Sequence, residues 1–364
     1  MKPAPRIPHL ALLSAAVLVL GTLLNPPARA ESSAPVPPAY RLPAEPADLL
    51  RIDDEMRAFF AARVRRGGTL EERMDQVAAA ILGERGLGFR YENDGIYDVR
   101  EAFRRRRGNC VTYAMLVVAV AREFRIPAEF NEVPTRPRWS RDGGIVLESR
   151  HLNVRVDDGG RCYEIDLKML ESLRVPGATA HPATDARAFA SAYSNAGARR
   201  MGAGDTAGAL ALFETAIRTD PTSAAAWSNL GATHLILGHP AEARAAFQQA
   251  LQRDRATMSA LSGLASLERR EGRLAEAARL EARARSYRQR NPYYRYALAR
   301  EELAAGRVDA ARRQLARALT LKDDEPLFLE LMAELAHRAG REREARRWAV
   351  RLAAFQRAEV AAAP

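Results

Sequence analysis

The sequence predicts two domains of different class: an α+β domain in the first half of the chain and an all-α array of paired helices in the second. A 34-residue period in the second half predicts the array. In the first half, an uncharged helical stretch over 111–121 followed by an alternating pattern over 151–167 predicts the α+β domain. The 364 residues are 47% hydrophobic and 28% charged, a composition that excludes a disordered chain, a collagen and a polytopic membrane protein.

Residues 1–30 have the three regions of a secretory signal peptide. Met1–Arg6 carries two positive charges, Leu10–Leu24 carries none, and Ala28-Arg29-Ala30 is a small-x-small cleavage site. A Pro-rich tether without a fixed fold is predicted over 31–47. We therefore expect an exported protein, periplasmic in a Gram-negative source, without a further membrane span; an uncleaved N-terminal anchor is the alternative.

The formal net charge is +11, so binding to nucleic acid has to be considered. The cations are 53 arginines and three lysines, and they are mixed with 45 acidic residues along the chain. This distribution is typical of a solvated surface rather than of one basic stripe. Together with export, it argues against nucleic acid as a partner.

The second half repeats every 34 residues. Glycines recur at this spacing at Gly204, Gly238, Gly272, Gly306 and Gly340. An alanine column keeps the same period at Ala209, Ala243, Ala277, Ala311 and Ala345. The second repeat, with Trp227, Gly231 and Phe247, resembles the tetratricopeptide repeat, whose unit is a pair of antiparallel helices. The resemblance implies about five repeats over 190–359, stacked as a solenoid behind a linker at 176–189.

The resemblance also implies a concave groove that binds a peptide or protein partner. The groove positions of the family fall on Ser259, Ser262, Ser266, Arg269, Arg270, Tyr293, Tyr296 and Arg300. Clustered arginine and tyrosine would suit an acidic or carboxylate-ended peptide. The alternative is that these arginines are ordinary solvated surface.

In the first half, Gly108-Asn109-Cys110 precedes the uncharged stretch Val111–Ala121, which predicts a core helix. Asn109 is a good N-cap, so Cys110 would lie at the positive end of that helix. The neighbouring run Arg104–Arg107 adds positive charge. Both features favour the thiolate form of a cysteine, as a nucleophile requires.

The alternation over 151–167 predicts a β-hairpin with its turn at 157–160. If Val156 pairs with Arg161, paired residue numbers sum to 317, and His151 lies opposite Asp166. The same register pairs Asn153 with Glu164 and Arg155 with Cys162, all on one face. A histidine directly opposite a carboxylate is within hydrogen-bonding reach.

Each of these features also has a structural interpretation. Cys110 is equally consistent with a small buried core residue, and the His151–Asp166 pair with a structural ion pair. Because an exported protein favours disulfides, Cys110 could instead be bonded to Cys162.

The order of these elements resembles the transglutaminase-like superfamily of papain-like thiol enzymes. Gly108-Asn109-Cys110, His151 in Arg150–Val154 and Asp166 in Tyr163–Asp166 match the family in order. The resemblance implies a papain-like α+β fold over 48–175 and a catalytic triad of Cys110, His151 and Asp166. The substrate class is open, because Asn153 stands where many members have an aromatic residue.

Three further residues near these motifs are candidate substrate-binding residues: Asn109, Trp139 and Asn153. Trp139 belongs to the segment Asn131–Ser149, which we interpret either as a loop that covers the cleft or as a plain connection.

These features predict an exported thiol hydrolase that cleaves peptide or amide bonds through a thioester, with the repeat groove recruiting a substrate or partner. One alternative is an amine acyltransferase acting on glutamine side chains. Another is a non-enzymatic assembly protein that acts through its repeats. We expect no metal and no organic cofactor, because the sequence has neither a ligand cluster with metal spacing nor a glycine-rich phosphate loop.

Overall fold

The computed structural model describes residues 16–19, 42–142, 145–157, 159, 162–166, 173–174 and 182–362. Apart from the strand Ala16–Val19, the predicted signal peptide lies outside these residues, as does the tether up to residue 41. The end of the tether is folded. A 3-10 turn covers Pro46–Leu50, and the Pro43 carbonyl accepts a hydrogen bond of 2.8 Å from the Tyr193 hydroxyl.

Four helices form the helical part of the first domain: α1 (Asp54–Ala61), α2 (Leu70–Leu82), α3 (Val99–Arg105) and α4 (Cys110–Glu123). Each begins after a side chain that accepts a hydrogen bond from a backbone N–H of its first turn. These capping residues are Asp53, Thr69, Asp98 and Asn109. Local sequence therefore specifies where each helix begins, including the predicted cap at Asn109.

The strands form one antiparallel sheet and one short parallel pair. They are β1 (Ala16–Val19), β2 (Arg90–Tyr91), β3 (Arg107–Gly108), β4 (Ala128–Asp142), β5 (Ile145–Asp157), β6 (Cys162–Ile165), β7 (Leu173–Arg174) and β8 (Pro182–Ala183). The large sheet has the order β7-β6-β5-β4-β8, and β1 pairs with the first part of β5. The parallel pair β2–β3 lies immediately before α4.

The segment Asn131–Ser149 is a long β-hairpin, and this corrects both interpretations of it as a loop. Its two strands, β4 and β5, stay paired from Ala128 to Asp142, with an irregularity between Val133 and Arg138 where the register shifts. Gly143 and Gly144, at the predicted loop, lie outside the described residues.

The core of the first domain lies between α4 and one face of the large sheet. Every residue of α4 from Cys110 to Ala121 is buried. The sheet contributes an apolar face composed of Phe130, Leu152, Val154, Val156, Tyr163 and Ile165. The alternation therefore predicts correctly which side chains of β5 and β6 face the core.

Five helix pairs make up residues 185–362 of the described chain. They are α5 (Asp185–Gly202) with α6 (Thr206–Thr219), α7 (Ala224–Ile236) with α8 (Pro240–Arg253), α9 (Met258–Arg270) with α10 (Leu274–Arg290), α11 (Pro292–Ala304) with α12 (Val308–Leu321), and α13 (Pro326–Arg338) with α14 (Glu342–Ala362). The glycine of each 34-residue period ends the first helix of a pair with a positive φ, between 69° and 87°. This conformation explains why glycine recurs there.

The first helix of the array is also part of the first domain. Residues 182–189, assigned from sequence to a linker, instead form β8 and the start of α5. The Phe189 ring packs against Phe130 with centroids 6.3 Å apart, and Arg122 of α4 makes a two-bond ion pair with Asp185 at 2.6 and 2.9 Å. The domain and the first repeat therefore share a core.

The chain divides into two compact units. The first contains the sheet and helices α1 to α8, and the second begins at Leu261, within α9. Over the residues that the structure describes, none of the helices combines the length and apolar character needed to cross a membrane.

Close packing between α7 and α8 gives a testable prediction. A Cβ at Gly231 would lie 2.7 Å from Cδ1 of Phe247, whose ring is buried. We expect Gly231→Ala to lower the thermal unfolding midpoint, because overpacking costs ~1–3 kcal/mol and outweighs the roughly 1 kcal/mol gained in helix propensity. A Cβ at Gly67 meets nothing within 4 Å, so Gly67→Ala is the control and should not lower the midpoint. A smaller side chain, in Gly231→Ala with Phe247→Leu, should recover part of the loss; no recovery would contradict the steric explanation.

Candidate active site

Cys110 is the first residue of α4, and its side chain is only 2% exposed. The Asn109 side chain caps the helix by accepting a hydrogen bond of 3.0 Å from the Thr112 backbone N–H. Because the helix dipole is positive at this end, the position favours the thiolate form of Cys110.

A turn before α3 fixes the N-terminus of α4. The Gly95 carbonyl accepts a hydrogen bond of 2.7 Å from the Asn109 backbone N–H and one of 3.0 Å from the Thr112 hydroxyl. The Thr112 hydroxyl in turn accepts a hydrogen bond of 3.1 Å from the Tyr97 backbone N–H. A Cβ at Gly108 would lie 2.5 Å from Cγ2 of Thr112, so only glycine fits there. These contacts explain the local sequence Gly108-Asn109-Cys110.

His151 and Asp166 are in direct contact, through Nε2 of the imidazole and Oδ2 of the carboxylate. Both side chains are largely shielded from solvent, at 11% and 16% exposure. A carboxylate on Nε2 favours the tautomer with its proton on that nitrogen, which leaves the Nδ1 lone pair as the base.

The register that brings these residues together differs from the predicted one by two residues. The structure pairs Val156 with Tyr163 and Asp157 with Cys162, so paired numbers sum to 319 rather than 317. The strand β5 continues to Asp157, whose carboxylate accepts a hydrogen bond from the Gly159 backbone N–H in the turn. A shift of two keeps every residue on its predicted face.

The side-chain pairs predicted from sequence therefore form as diagonal neighbours. Asn153 Nδ2 donates to Glu164 Oε2 at 2.9 Å, and Arg155 Nε donates to Cys162 Sγ at 2.9 Å. The His151–Asp166 contact has the same diagonal geometry. Side chains of this length reach a diagonal neighbour as readily as a direct one.

Two of the candidate substrate-binding residues use their side chains within the protein. The Asn109 side chain is the helix cap. Asn153 is 3% exposed and joins Glu164 to Asn131, whose amide donates to the Asn153 side-chain oxygen at 2.9 Å. The hydrogen-bonded row Asn131–Asn153–Glu164 lies on the same face as His151 and stiffens the sheet beside it.

Trp139, the third candidate, lies on β4 and is 9% exposed. It pairs with Glu148 on β5, three residues before His151. The register shift between Val133 and Arg138 lies between this pair and the pair that contains His151. A role of Trp139 in substrate binding stays a prediction.

Tyr113 is a buried polar residue of α4. It lies one helical turn after Cys110, and α4 packs against β5. Burial raises the pKa of the Tyr113 phenol, and the negative charge of Asp166 raises it further. The hydroxyl is buried and has no hydrogen-bond partner.

Arginines of the run before Cys110 are paired with acidic side chains. All four arginines from Arg104 to Arg107 are exposed. Arg105 pairs with Glu101 at 2.6 Å, and Arg107 pairs with Glu92 at 3.5 Å. These ion pairs offset part of the positive charge of the run, and its effect on the thiol stays a prediction.

The predicted alternative of a disulfide is also corrected. Neither Cys110 nor Cys162 is in a disulfide. Cys162 instead accepts the hydrogen bond from Arg155 on the sheet.

In the array, the predicted groove residues fall into two groups. Tyr293 and Tyr296 are buried at 4% and 6% exposure, and both rings pack on Phe328 with centroids 5.3 and 5.4 Å away. These tyrosines are internal packing residues rather than an open contact surface. The arginines are on the surface: Arg269 makes a two-bond ion pair with Glu281, while Arg270 and Arg300 are exposed.

The serines assigned to the groove are buried as well. Ser259, Ser262 and Ser266 are 7%, 3% and 9% exposed, and Ser259 shares a hydrogen bond of 2.8 Å with Ser228. They therefore belong to the packing of the helices.

A family model for the transglutaminase-like superfamily matches residues 59–167, which contain Cys110, His151 and Asp166. A second model, for the tetratricopeptide repeat, matches residues 200–267. The chain therefore contains a transglutaminase-like domain over 59–167, followed by a tetratricopeptide repeat over 200–267.

Solved structures are similar to part of the chain. The pilF protein of Pseudomonas aeruginosa shares 22% identity over 46% of this chain and 76% of its own, with a TM-score of 0.36. A thermophilic tetratricopeptide repeat protein of Thermus thermophilus shares 23% identity over 46% of this chain and 98% of its own, with a TM-score of 0.34. A comparison with curated proteins finds no match.

The transglutaminase-like domain contains one residue near its candidate site that the sequence interpretation missed. This residue is Tyr113. Thr112 and Tyr113 are the polar side chains of the uncharged stretch Val111–Ala121, and their polarity was the available signal. Over the described residues, no group of three histidine, cysteine or acidic side chains is arranged to hold a metal ion.

The unpartnered hydroxyl gives a testable prediction for the transglutaminase-like domain. We expect Tyr113→Phe to raise the free energy of unfolding by ~1 kcal/mol, because a buried hydroxyl without a partner is destabilising. Because burial raises the pKa of Tyr113 above its ordinary value of 10.0, the unfolded chain ionises first, and folding stability falls as the pH rises above that value. The variant should therefore lose less stability than the wild type between pH 9 and pH 11, as measured by urea unfolding.

Tyr163→Phe is the matched control, since the Tyr163 hydroxyl donates to Glu71 at 3.4 Å. This variant should lose stability at neutral pH. An equal loss in Tyr113→Phe would contradict the prediction.

Proposed function

We propose that this protein is an exported thiol hydrolase of peptide or other amide bonds. Cys110 is the nucleophile, His151 the general base and acid, and Asp166 the residue that orients the imidazole. The observation that carries the proposal is the His151 Nε2–Asp166 contact, which leaves Nδ1 available to a thiol.

The reaction has two stages. The Cys110 thiolate attacks the amide carbonyl carbon, and the carbonyl π electrons move to oxygen. The C–N bond then breaks, and imidazolium His151 gives its proton to the leaving amine, so that a thioester remains. Water attacks the thioester while His151 takes one of its protons; the acid is released and the thiolate–imidazolium pair is restored.

The N-terminus of α4 supports the charge development in both stages. The carbonyl oxygen becomes negative during each attack, close to the Cys110 backbone N–H at the positive end of the helix. Such an electrostatic contribution is among the largest in acyl transfer.

The tetratricopeptide repeat supports a protein or peptide partner. We assign to the array the recruitment of an acidic peptide segment through exposed arginines such as Arg270 and Arg300. The pattern in residues 1–30 supports export to the periplasm, where a hydrolase would meet extracytoplasmic peptides.

Alkylation of Cys110 by iodoacetamide, followed by mass spectrometry from pH 5 to pH 9, tests the proposal. A thiol with an ordinary pKa of about 8.5 is only ~0.3% ionised at pH 6. We expect the wild type to react at pH 6 at least about tenfold faster than His151→Ala, because loss of the imidazolium raises the pKa of the thiol. The measurements are made in the Cys162→Ser variant, so that Cys110 is the one thiol that can be alkylated.

His337 offers a matched control, because it forms a second histidine–carboxylate pair with Glu342 at 2.8 Å on the array. His337→Ala should leave the alkylation profile unchanged. If wild type and His151→Ala react equally at every pH, the thiol-enzyme proposal is wrong and the non-enzymatic assembly role is favoured.

A second assay separates hydrolysis from acyl transfer. The protein is incubated with a peptide library and a fluorescent primary amine, with Cys110→Ala as the blank. Peptide cleavage or deamidation supports the hydrolase. Incorporation of the amine into glutamine peptides would overturn it in favour of the acyltransferase.

A further inference from the structure

A buried arginine in the first repeat stands out from the rest of its column. Arg199 of α5 is 7% exposed. Its equivalents 34 and 68 residues later are Thr233 and Leu267, which are also buried and carry no charge. A buried guanidinium needs a charged or hydrogen-bonding partner. Since the repeat pattern does not account for an arginine at this position, we expect its partner to lie outside the repeats.

That partner comes from the transglutaminase-like domain. Arg199 Nη1 lies 2.9 Å from Oδ1 of Asp94, a residue in the turn between β2 and α3. The turn is closed by a hydrogen bond of 3.0 Å from the Gly95 N–H to the Glu92 carbonyl. Asp94 is half exposed, so the buried member of the pair is the arginine.

The next residue of the turn holds the helix that carries the thiol. Gly95 accepts hydrogen bonds from the Asn109 backbone and the Thr112 hydroxyl, on either side of Cys110 in sequence. The turn also touches the backbone before Cys110, because a Cβ on Gly95 would lie 2.9 Å from the Gly108 Cα. The turn that contains Asp94 is therefore hydrogen-bonded directly to the first turn of α4.

We propose that Arg199 of the first repeat is a positioning residue for the Cys110 nucleophile, acting through Asp94 and the Gly95 carbonyl. The array then contributes to the geometry of the active site in addition to binding a partner. The effect on thiol reactivity rests on the proposed function, whereas the mechanical link between α5 and α4 does not.

Arg199→Met is the informative variant, because methionine fills similar space and the released Asp94 can be hydrated. Replacing Asp94 instead would leave a buried arginine without its carboxylate and would confound the result with unfolding. Arg122→Met is the matched control. It removes the ion pair that joins α4 to Asp185 of α5, at the end of α4 far from Cys110.

Two readouts on the full chain test the link. The first is hydrogen exchange of the peptides that contain residues 93–97 and 109–113. We expect Arg199→Met to accelerate exchange there by about tenfold, as expected when a local contact is lost, and Arg122→Met to leave it unchanged. Arg199→Lys keeps a cation opposite Asp94 and should restore part of the protection.

The second readout is the pH profile of Cys110 alkylation by iodoacetamide. We expect Arg199→Met to move its midpoint toward the ordinary thiol range and to slow the reaction at pH 6 by ~3–10-fold, because the thiol is no longer held at the helix terminus. Unchanged exchange and an unchanged profile in Arg199→Met would overturn the proposal. Equal effects in Arg122→Met would also overturn it, since they would indicate general loosening of α5.

These outcomes are distinguishable from failure of the proposed function. If Cys110 is not an activated thiol, the wild-type profile is already ordinary and His151→Ala does not change it. Hydrogen exchange then decides the positioning role by itself.

Discussion

The first domain depends on one constraint, which is that α4 passes through the apolar core with every side chain from Cys110 to Ala121 buried. A helix end leaves N–H or C=O groups without intrahelical partners, and where the end is buried the protein itself has to supply them. At the N-terminus these are the Asn109 side chain and the Gly95 carbonyl, and at the C-terminus the Arg73 guanidinium donates to the Phe124 carbonyl. Polar chemistry is thereby confined to the helix ends, and the thiol occupies the end where a negative charge is stabilised.

The candidate site was predictable from sequence to the extent that it depends on alternation rather than on register. A strand alternates with a period of two, so His151, Asn153 and Asp166 remain on one face whether the paired numbers sum to 317 or 319. The length of the turn determines the register. The sequence Asp157-Asp158-Gly159-Gly160 does not reveal that Asp157 still belongs to the strand and pairs with Cys162. Because the side chains are long enough to lean along the strand, the predicted contacts survive the shift as diagonals.

The predictions that failed were based on local sequence and did not take contacts with distant residues into account. Asn131–Ser149 contains prolines and a pair of glycines, which are typical of loops, yet a paired neighbour on β5 keeps it extended around its irregularity. The groove positions taken from the repeat family failed at Tyr293 and Tyr296 for a related reason. Phe328 from the following helix pair gives these rings a buried surface to pack on, and the repeat pattern alone does not reveal that neighbour.

The linker prediction failed because α5 belongs both to the core of the first domain and to the repeat array. A solenoid requires a cover on its terminal repeat, and a sheet with one apolar face requires a helix against it. Phe189 packs on Phe130 of the sheet, and Tyr193 binds the Pro43 carbonyl, so one helix satisfies both requirements. A boundary at residue 190 would cut through this helix and remove its apolar contacts from one side. The first repeat is therefore a structural element of the transglutaminase-like domain, and its Arg199 contacts Asp94, the residue before the Gly95 carbonyl that binds the α4 N-terminus.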